Sequence, residues 1–309
     1  MPQGVRVRVS PPAQIFLKSM NTVDDLLELL KLKKKEDHFL GISKTIGSNS
    51  VFGGQVLAQS LYAAYNSISN NRILHSLHSY FLERGDLEIP IKYYVDQIRD
   101  GGSFSTRRVT AKQKDKTIFI LAASFQKKES GHKFYKKINE KIKQPEDLLS
   151  TMQLKKKYGL FMSKKLKSFL SVERPVEFKP IQRTNPILKK NIPPKLDVWF
   201  RIKGEIPSMT LDVKQQILTY VSDYNILSTT LFPHLTKADF SNTIMASLDH
   251  SMYFYRDFDF SDWLLYRIES PNTSNARGMS IGHVYTRDGV LIATAIQEGL
   301  IRPLKNKLY

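Results

Sequence analysis

The chain contains a copy of itself. Ser76-Leu77-His78 opens a stretch that closes at Phe125-Gln126, and Ser247-Leu248-Asp249-His250 opens another that closes at Ile296-Gln297. In each stretch the serine and the glutamine stand 50 residues apart, so one offset of 171 relates the two. Under that shift Phe119-Ile120-Leu121-Ala122 falls on Val290-Leu291-Ile292-Ala293. Repetition on this scale means two like units built to one plan. Three β-rich runs in the first unit are split by Asp100-Gly101-Gly102 and Lys114-Asp115-Lys116. In the second unit, Ser270-Pro271-Asn272 and Asp288-Gly289 divide three more. Short strands broken by such turn residues read as hairpins.

A helix precedes the strands in each unit. Gly53-Gly54 opens one in which Val56, Leu57, Ser60, Leu61 and Ala64 recur at helical spacing. It is rich in small residues and nearly uncharged, which suits a helix wrapped by a sheet. The second runs from Asp212 to Leu231, with Ile217, Tyr220, Val221, Tyr224 and Leu227 on one face. Pro175–Phe178 and Leu196–Ile202 read as the opening strands of the second unit. Helix followed by antiparallel strands, twice over, is an α+β plan with one long helix per sheet. The expected organisation is a disordered leader or gene-model extension over 1–19, a first unit over 20–126 and a basic linker over 127–170. A second unit over 171–303 and a tail over 304–309 complete it. Asn21-Thr22-Val23-Asp24 reads as a cap before a helix with Leu26, Leu27, Leu29 and Leu30 on its apolar face.

Composition excludes several chemistries. With no cysteine, the chain has no disulfide, no thiolate nucleophile and no thiolate-bound metal. None of the seven histidines falls at HxxxH or HExxH spacing, so no metal site is expected. No run of 18 apolar residues exists to span a membrane as a helix. The net charge of +18 would attract a polyanion, whether nucleic acid, anionic lipid or a phosphate-rich small molecule. Many of the lysines, however, sit in the linker, as in Lys136-Lys137 and Lys155-Lys156-Lys157, where a solvated face accounts for them.

The ordered strings FGGQ, LHSYF, RDGGSF, ASFQ, SLDHSMYF and QEG, from Phe52 to Gly299, resemble the acyl-CoA thioesterase II family. The resemblance implies a double hotdog, two tandem repeats each with an antiparallel sheet wrapped around a central helix. It also implies hydrolysis of fatty acyl-CoA thioesters, without a cofactor, by a water held between three side chains. Carried onto this chain, these are Asp223 inside the second helix, Ser247 at the start of a long strand and Gln297 on the last strand. The types suit the chemistry. A desolvated carboxylate is a stronger base, while serine and glutamine each offer donor and acceptor to orient a water.

The backbone N–H groups at Gly53, Gly54 and Gln55 are candidate oxyanion donors, because a helix start favours negative charge. Arg107, Arg108 and Arg277 are candidate partners of the CoA phosphates. Of the two glutamines, Gln297 is expected to be catalytic and its repeat mate Gln126 structural. His78 and His250 are expected to be buried, hydrogen-bonded residues near the seam between units.

Two rival readings stand beside this one. A hotdog hydratase or dehydratase needs an acid–histidine pair, and neither central helix contains a histidine. A non-enzymatic binder of nucleic acid or of a membrane surface would use the basic charge. It lacks aromatic residues interleaved with basic ones on a strand, and no nucleic-acid partner is expected. Fusion of two hotdogs would give an internal pseudo-dimer, and the family resemblance implies that this unit associates again, as a homodimer or homotetramer. A cytoplasmic location is expected, with a peroxisomal one as the alternative in a eukaryote, although the terminal residues do not form the Ser-Lys-Leu signal.

Overall fold

Two strands of the same kind, one from each half of the chain, meet at the middle of a single sheet. The computed structural model describes residues 20–69, 71–138, 141–162, 164–182 and 190–304, without the side chains of 164–166 and 169. The leader at 1–19 and residues 305–309 of the tail lie outside the described residues.

The first half supplies β1 (Lys33–Lys34), β2 (Phe39–Gly41), β3 (Arg72–Phe81), β4 (Ile91–Asp100), β5 (Phe104–Gln113) and β6 (Lys116–Lys127). The second supplies β7 (Val176–Pro180), β8 (Lys195–Ile202), β9 (Thr243–Ser247), β10 (Asp249–Phe254), β11 (Leu264–Ser274), β12 (Arg277–Tyr285) and β13 (Leu291–Pro303). The order is β1-β2-β4-β5-β6-β3-β10-β13-β12-β11-β8-β7, with β9 added on β13. Read from either end it has the same plan, and β3 against β10 is the seam.

Two helices fill the face of this sheet. α2 (Gly53–Tyr65) buries every residue from Gly54 to Leu61, as its small uncharged sequence requires. α5 (Leu211–Ser222) runs against it head to tail. The start of α2 meets Tyr220, and near its end Tyr65 Oη donates to Gln215. A short helix α1 (Val23–Leu30) begins in a capping box between Thr22 and Asp25, and buries Val23, Leu26, Leu29 and Leu30. Leu27 is only partly buried, and Val23 takes its place on the apolar face.

Three expectations change. The second helix stops at Ser222 rather than running on to Leu231. Asn225 turns the chain at φ 65°, and a 3-10 segment follows over Ile226–His234. Ser228, Thr229 and Thr230 hydroxyls each bond a carbonyl three residues back, which holds the tighter turn. Secondly, β11 runs through Ser270-Pro271-Asn272 as a bulge, and the hairpin turns instead at Asn275-Ala276. Both turn residues have positive φ, 48° and 56°, the geometry a two-residue hairpin needs. Pro271 is tolerated because the bulge interrupts the ladder there.

The third change is the register of the repeat. Tyr93 faces Ala111 in the first half and Tyr266 faces Val284 in the second, an offset of 173 for both members. Both tyrosines are wholly buried. On β6 and β13 the offset is 174, because Ala111 faces Phe119 and Val284 faces Ala293. The match of Gln126 with Gln297 at 171 therefore pairs positions on opposite faces. Gln126 points outward to Glu129, whereas Gln297 is buried.

The stretch expected to be a linker contains α3 (Thr151–Tyr158) and α4 (Lys164–Ser171). Part of it straps the outer face of the second half. Ile138, Ile142 and Leu148 pack with Trp199, Trp263, Leu265 and Tyr285, and Trp199 Nε1 donates to the Lys143 carbonyl at 2.8 Å.

Candidate active site

Asp223 is the first residue past α5, its C-cap, rather than a residue inside the helix. Its carboxylate faces the negative end of its own helix dipole and the positive end of α2. Oδ2 accepts the Gly54 N–H at 2.8 Å, a bond between the two halves of the chain. That approach needs glycine. A Cβ on Gly53 would stand 2.7 Å from Asp223 Oδ2, and one on Gly54 would stand 2.4 Å from the Tyr220 carbonyl oxygen.

Ser247 ends β9, and only Leu248 separates it from β10. It therefore sits at a break between two strands and not at the start of a long one. Its Oγ donates toward Asp223 Oδ1 at 3.4 Å and accepts Gln297 Nε2–H at 2.8 Å. The structure thus brings Asp223, Ser247 and Gln297 together, from a helix end, a strand break and the middle of β13.

The other expected residues fall differently. The Gly54 N–H is taken by Asp223, and the Gln55 N–H bonds the Phe52 carbonyl. The Gln55 side chain bonds the backbone of Lys44 and Ile42, so it holds a neighbouring loop. Gly53 N–H is the remaining donor at this helix start, with no acceptor among the described residues. Arg107 is not a surface cation. It is 2% exposed, chelates both Asp100 oxygens at 2.9 Å, and bonds the carbonyls of Ser67, Arg99 and Thr106. Arg108 pairs with Asp96 at 2.9 Å on open surface, and Arg277 pairs with Glu298 at 3.0 Å where both are half-buried. His78 is exposed, contrary to expectation, and touches Ser251 Oγ at 3.1 Å.

Burial pushes the Asp223 carboxyl above its ordinary value. Nearby His250, the Gly54 N–H, Gln297 and Ser247 each pull it back in part. The same burial lowers the His250 imidazole, opposed by Asp223, Gln297 and Asp249. A carboxylate held in this way is a base whose strength is raised by its surroundings.

Two family models match the chain: "Acyl-CoA thioesterase N-terminal domain" over 43–126, and "Acyl-CoA thioesterase" over 166–300. Acyl-CoA thioesterase 2 of Haemophilus influenzae is 38% identical over 281 residues, covering 91% of this chain and 98% of that protein. The chain belongs to the acyl-CoA thioesterase II family. Human acyl-coenzyme A thioesterase 8 is 34% identical, covering 97% of this chain and 94% of the relative. Among solved structures, the acyl-CoA thioesterase II TesB2 of Mycobacterium marinum aligns with a TM-score of 0.74 and 31% identity. That alignment covers 90% of this chain and 98% of the other. A hot dog fold protein of Alicyclobacillus acidocaldarius shares the fold at a TM-score of 0.71 and 16% identity.

In this thioesterase the sequence reading missed how close His250 lies to the acid. It was buried as expected, but β10 rather than a central helix carries it to the site. Nδ1 lies 2.5 Å from Gln297 Oε1 and Nε2 lies 2.9 Å from Ser222 Oγ. Both ring nitrogens are thereby occupied by protein groups, which sets this histidine apart from a hydratase base facing its substrate. The alternation of His250, Met252 and Phe254 along HSMYF was the available signal, since it places all three on the inward face.

Proposed function

We propose that this chain hydrolyses fatty acyl-CoA to free fatty acid and CoA, with Asp223, Ser247 and Gln297 holding the attacking water. The observation that carries the reading is the convergence of a desolvated carboxylate with a hydroxyl and an amide, all within one hydrogen-bonded group. Asp223 takes a proton as the water oxygen bonds the thioester carbonyl carbon. The C–S bond then breaks, and the proton passes to the departing CoA thiolate. Negative charge grows on the carbonyl oxygen during attack, and the Gly53 N–H at the start of α2 is the donor available to it. No side chain needs to form a covalent intermediate.

The helix pair makes water activation efficient. Asp223 is partly buried, so its charge is weakly hydrated, and the donors around it are already in place. Release of free thiol from palmitoyl-CoA, followed with a thiol reagent, tests the activity. Asp223→Asn should reduce it by about 10²-fold or more. A folded variant with unchanged turnover would remove Asp223 from the mechanism. We place the enzyme in the cytoplasm and assign it a homodimer or homotetramer. Light scattering showing only particles of the 35.6 kDa chain mass would overturn the assembly.

A further inference from the structure

Three hydrogen bonds run in one direction from the strand seam to Asp223. The carbonyl oxygen of an amide only accepts, so at 2.5 Å from Gln297 Oε1 the His250 Nδ1 carries a hydrogen. With Oε1 held there, the other end of the amide is turned to Ser247 and donates Nε2–H to its Oγ at 2.8 Å. A hydroxyl that accepts this bond keeps its own hydrogen to give, and that hydrogen points toward Asp223 Oδ1. Reversing the amide would require Nδ1 to accept from the amide Nε2–H, with the imidazole hydrogen moved to the ring nitrogen facing Ser222 Oγ. It would also let Oε1 take the Ser247 hydrogen away from the acid.

We propose that His250 is a positioning residue for thioester hydrolysis: its Nδ1–H fixes the Gln297 amide so that NH₂ faces Ser247 and the Ser247 hydroxyl faces Asp223. The inference rests on the site reading given under Proposed function. The imidazole is itself held from several sides. With hydrogen on Nδ1 of a neutral ring, Nε2 accepts from the Ser222 hydroxyl at 2.9 Å, and the Thr219 carbonyl, 2.8 Å from the same Oγ, is the competing acceptor for that one hydrogen. From the first half, Ser79 Oγ donates to the His250 carbonyl at 2.7 Å.

The repeat supplies a comparison within one molecule. At offsets of 173 and 174, His250 and Gln297 correspond to Leu77 and Ala123, which face each other across β3 and β6. Both are buried. The same place in the fold is therefore built from apolar residues in the half that has no acid. Two buried polar side chains there are not what the seam needs to form, because a buried polar pair is costly unless every partner is present. The second half accepts that cost where Asp223 and Ser247 lie.

Two near-isosteric substitutions separate the ring nitrogens. In His250→Asn the amide nitrogen falls near the place of Nδ1, so the donor to Gln297 survives. In His250→Gln the amide nitrogen falls near Nε2, which keeps the Ser222 contact and loses that donor. With palmitoyl-CoA, H250N should hold kcat within about threefold of the parent, and H250Q should lower it about 10- to 100-fold with little change in KM. In a Gln297→Ala background H250Q should have no further effect, since His250 acts through that amide. Equal losses in H250N and H250Q, or an undiminished H250Q effect without Gln297, would overturn the proposal. Nitrogen-15 NMR of the imidazoles in the unmutated enzyme provides a test that needs no variant. A neutral His250 with hydrogen on Nε2 and none on Nδ1 also overturns it. Asp223→Asn is assayed alongside. If that variant retains turnover, the site reading itself fails; if it is inactive while H250N and H250Q match the parent, only the role of His250 fails.

Discussion

The Asp223 carboxylate, from the second half of the chain, accepts the backbone N–H of Gly54, from the first, at 2.8 Å. In the proposed site neither half is complete. The acid comes from the end of α5 and its closest donor from the start of α2, so packing of the two helices sets the position of the base.

The two glycines should respond differently to a methyl group. Alanine is the better helix former, so propensity alone favours both substitutions. In Gly53→Ala the new Cβ meets Asp223 Oδ2 at 2.7 Å, and the carboxylate must move. A displacement of that kind should lower kcat by up to about 10²-fold while the fold survives. In Gly54→Ala the obstacle is the Tyr220 carbonyl at 2.4 Å, which is backbone and cannot turn aside. That variant should lose about 1–3 kcal/mol of stability as the helices separate. Urea melts and palmitoyl-CoA turnover, measured on both, distinguish the two outcomes.

Gln297→Ala should cut turnover by about 10²-fold, since it removes an oriented donor from the site. Gln126→Ala removes only an exposed contact to Glu129, so activity should be unchanged and stability altered by no more than about 0.5 kcal/mol. Comparable catalytic losses in the two would show that the outward face takes part in the chemistry.

The contrast also shows what the sequence could reveal. The duplication, α2 and three of the four hairpin turns were legible because they depend on local pattern: small uncharged residues in one, alternation and turn residues in the others. Asp223, Ser247 and Gln297 were named through resemblance, and the fold places the three side chains in one hydrogen-bonded group. The register was not legible, because a match of letters at 171 carries no information about which face a strand residue occupies. The bulges near Glu269 and Val284 have counterparts near Gln97 and Ala111, so the extra residue lies in the turn between Tyr285 and Leu291, and only the cross-strand pairs expose it. Arg107 failed for a related reason. A strand arginine beside a turn looks solvated until the position of Asp100 is known.

Arg107 should therefore matter to stability and not to CoA. Its guanidinium bonds three carbonyls and the Asp100 carboxylate, and lysine cannot reproduce that fork. Arg107→Ala and Arg107→Lys should both lower the melting temperature, because buried carbonyls lose their donors. KM for palmitoyl-CoA should stay at the parent value in whatever fraction remains folded. A raised KM at unchanged melting temperature would mean that Arg107 meets the substrate after all.

The raised pKa of Asp223 makes a prediction about stability as well as rate. Burial places its folded value above the ordinary 3.8, against the pull of His250, Gly54, Gln297 and Ser247. Ionising it is therefore harder in the folded chain than in the unfolded one. The resulting stability is fully present below the unfolded value of about 3.8 and is lost as pH rises through the higher folded value. At neutral pH the ionised carboxylate should therefore oppose folding, at the position where the proposed mechanism has its base. Asp223→Asn cannot ionise, and its amide oxygen can still face the Gly54 N–H. It should be more stable than the parent at neutral pH, with the difference shrinking as pH falls through the folded value. Turnover in the parent should fall over that same interval, as the base is protonated. Thermal melts of both proteins across this range, beside the pH dependence of kcat/KM in the parent, test the two limbs together. A variant less stable than the parent at neutral pH would mean that the donors around Asp223 outweigh its burial, and the acid limb of the rate profile should then lie below the ordinary carboxylate range.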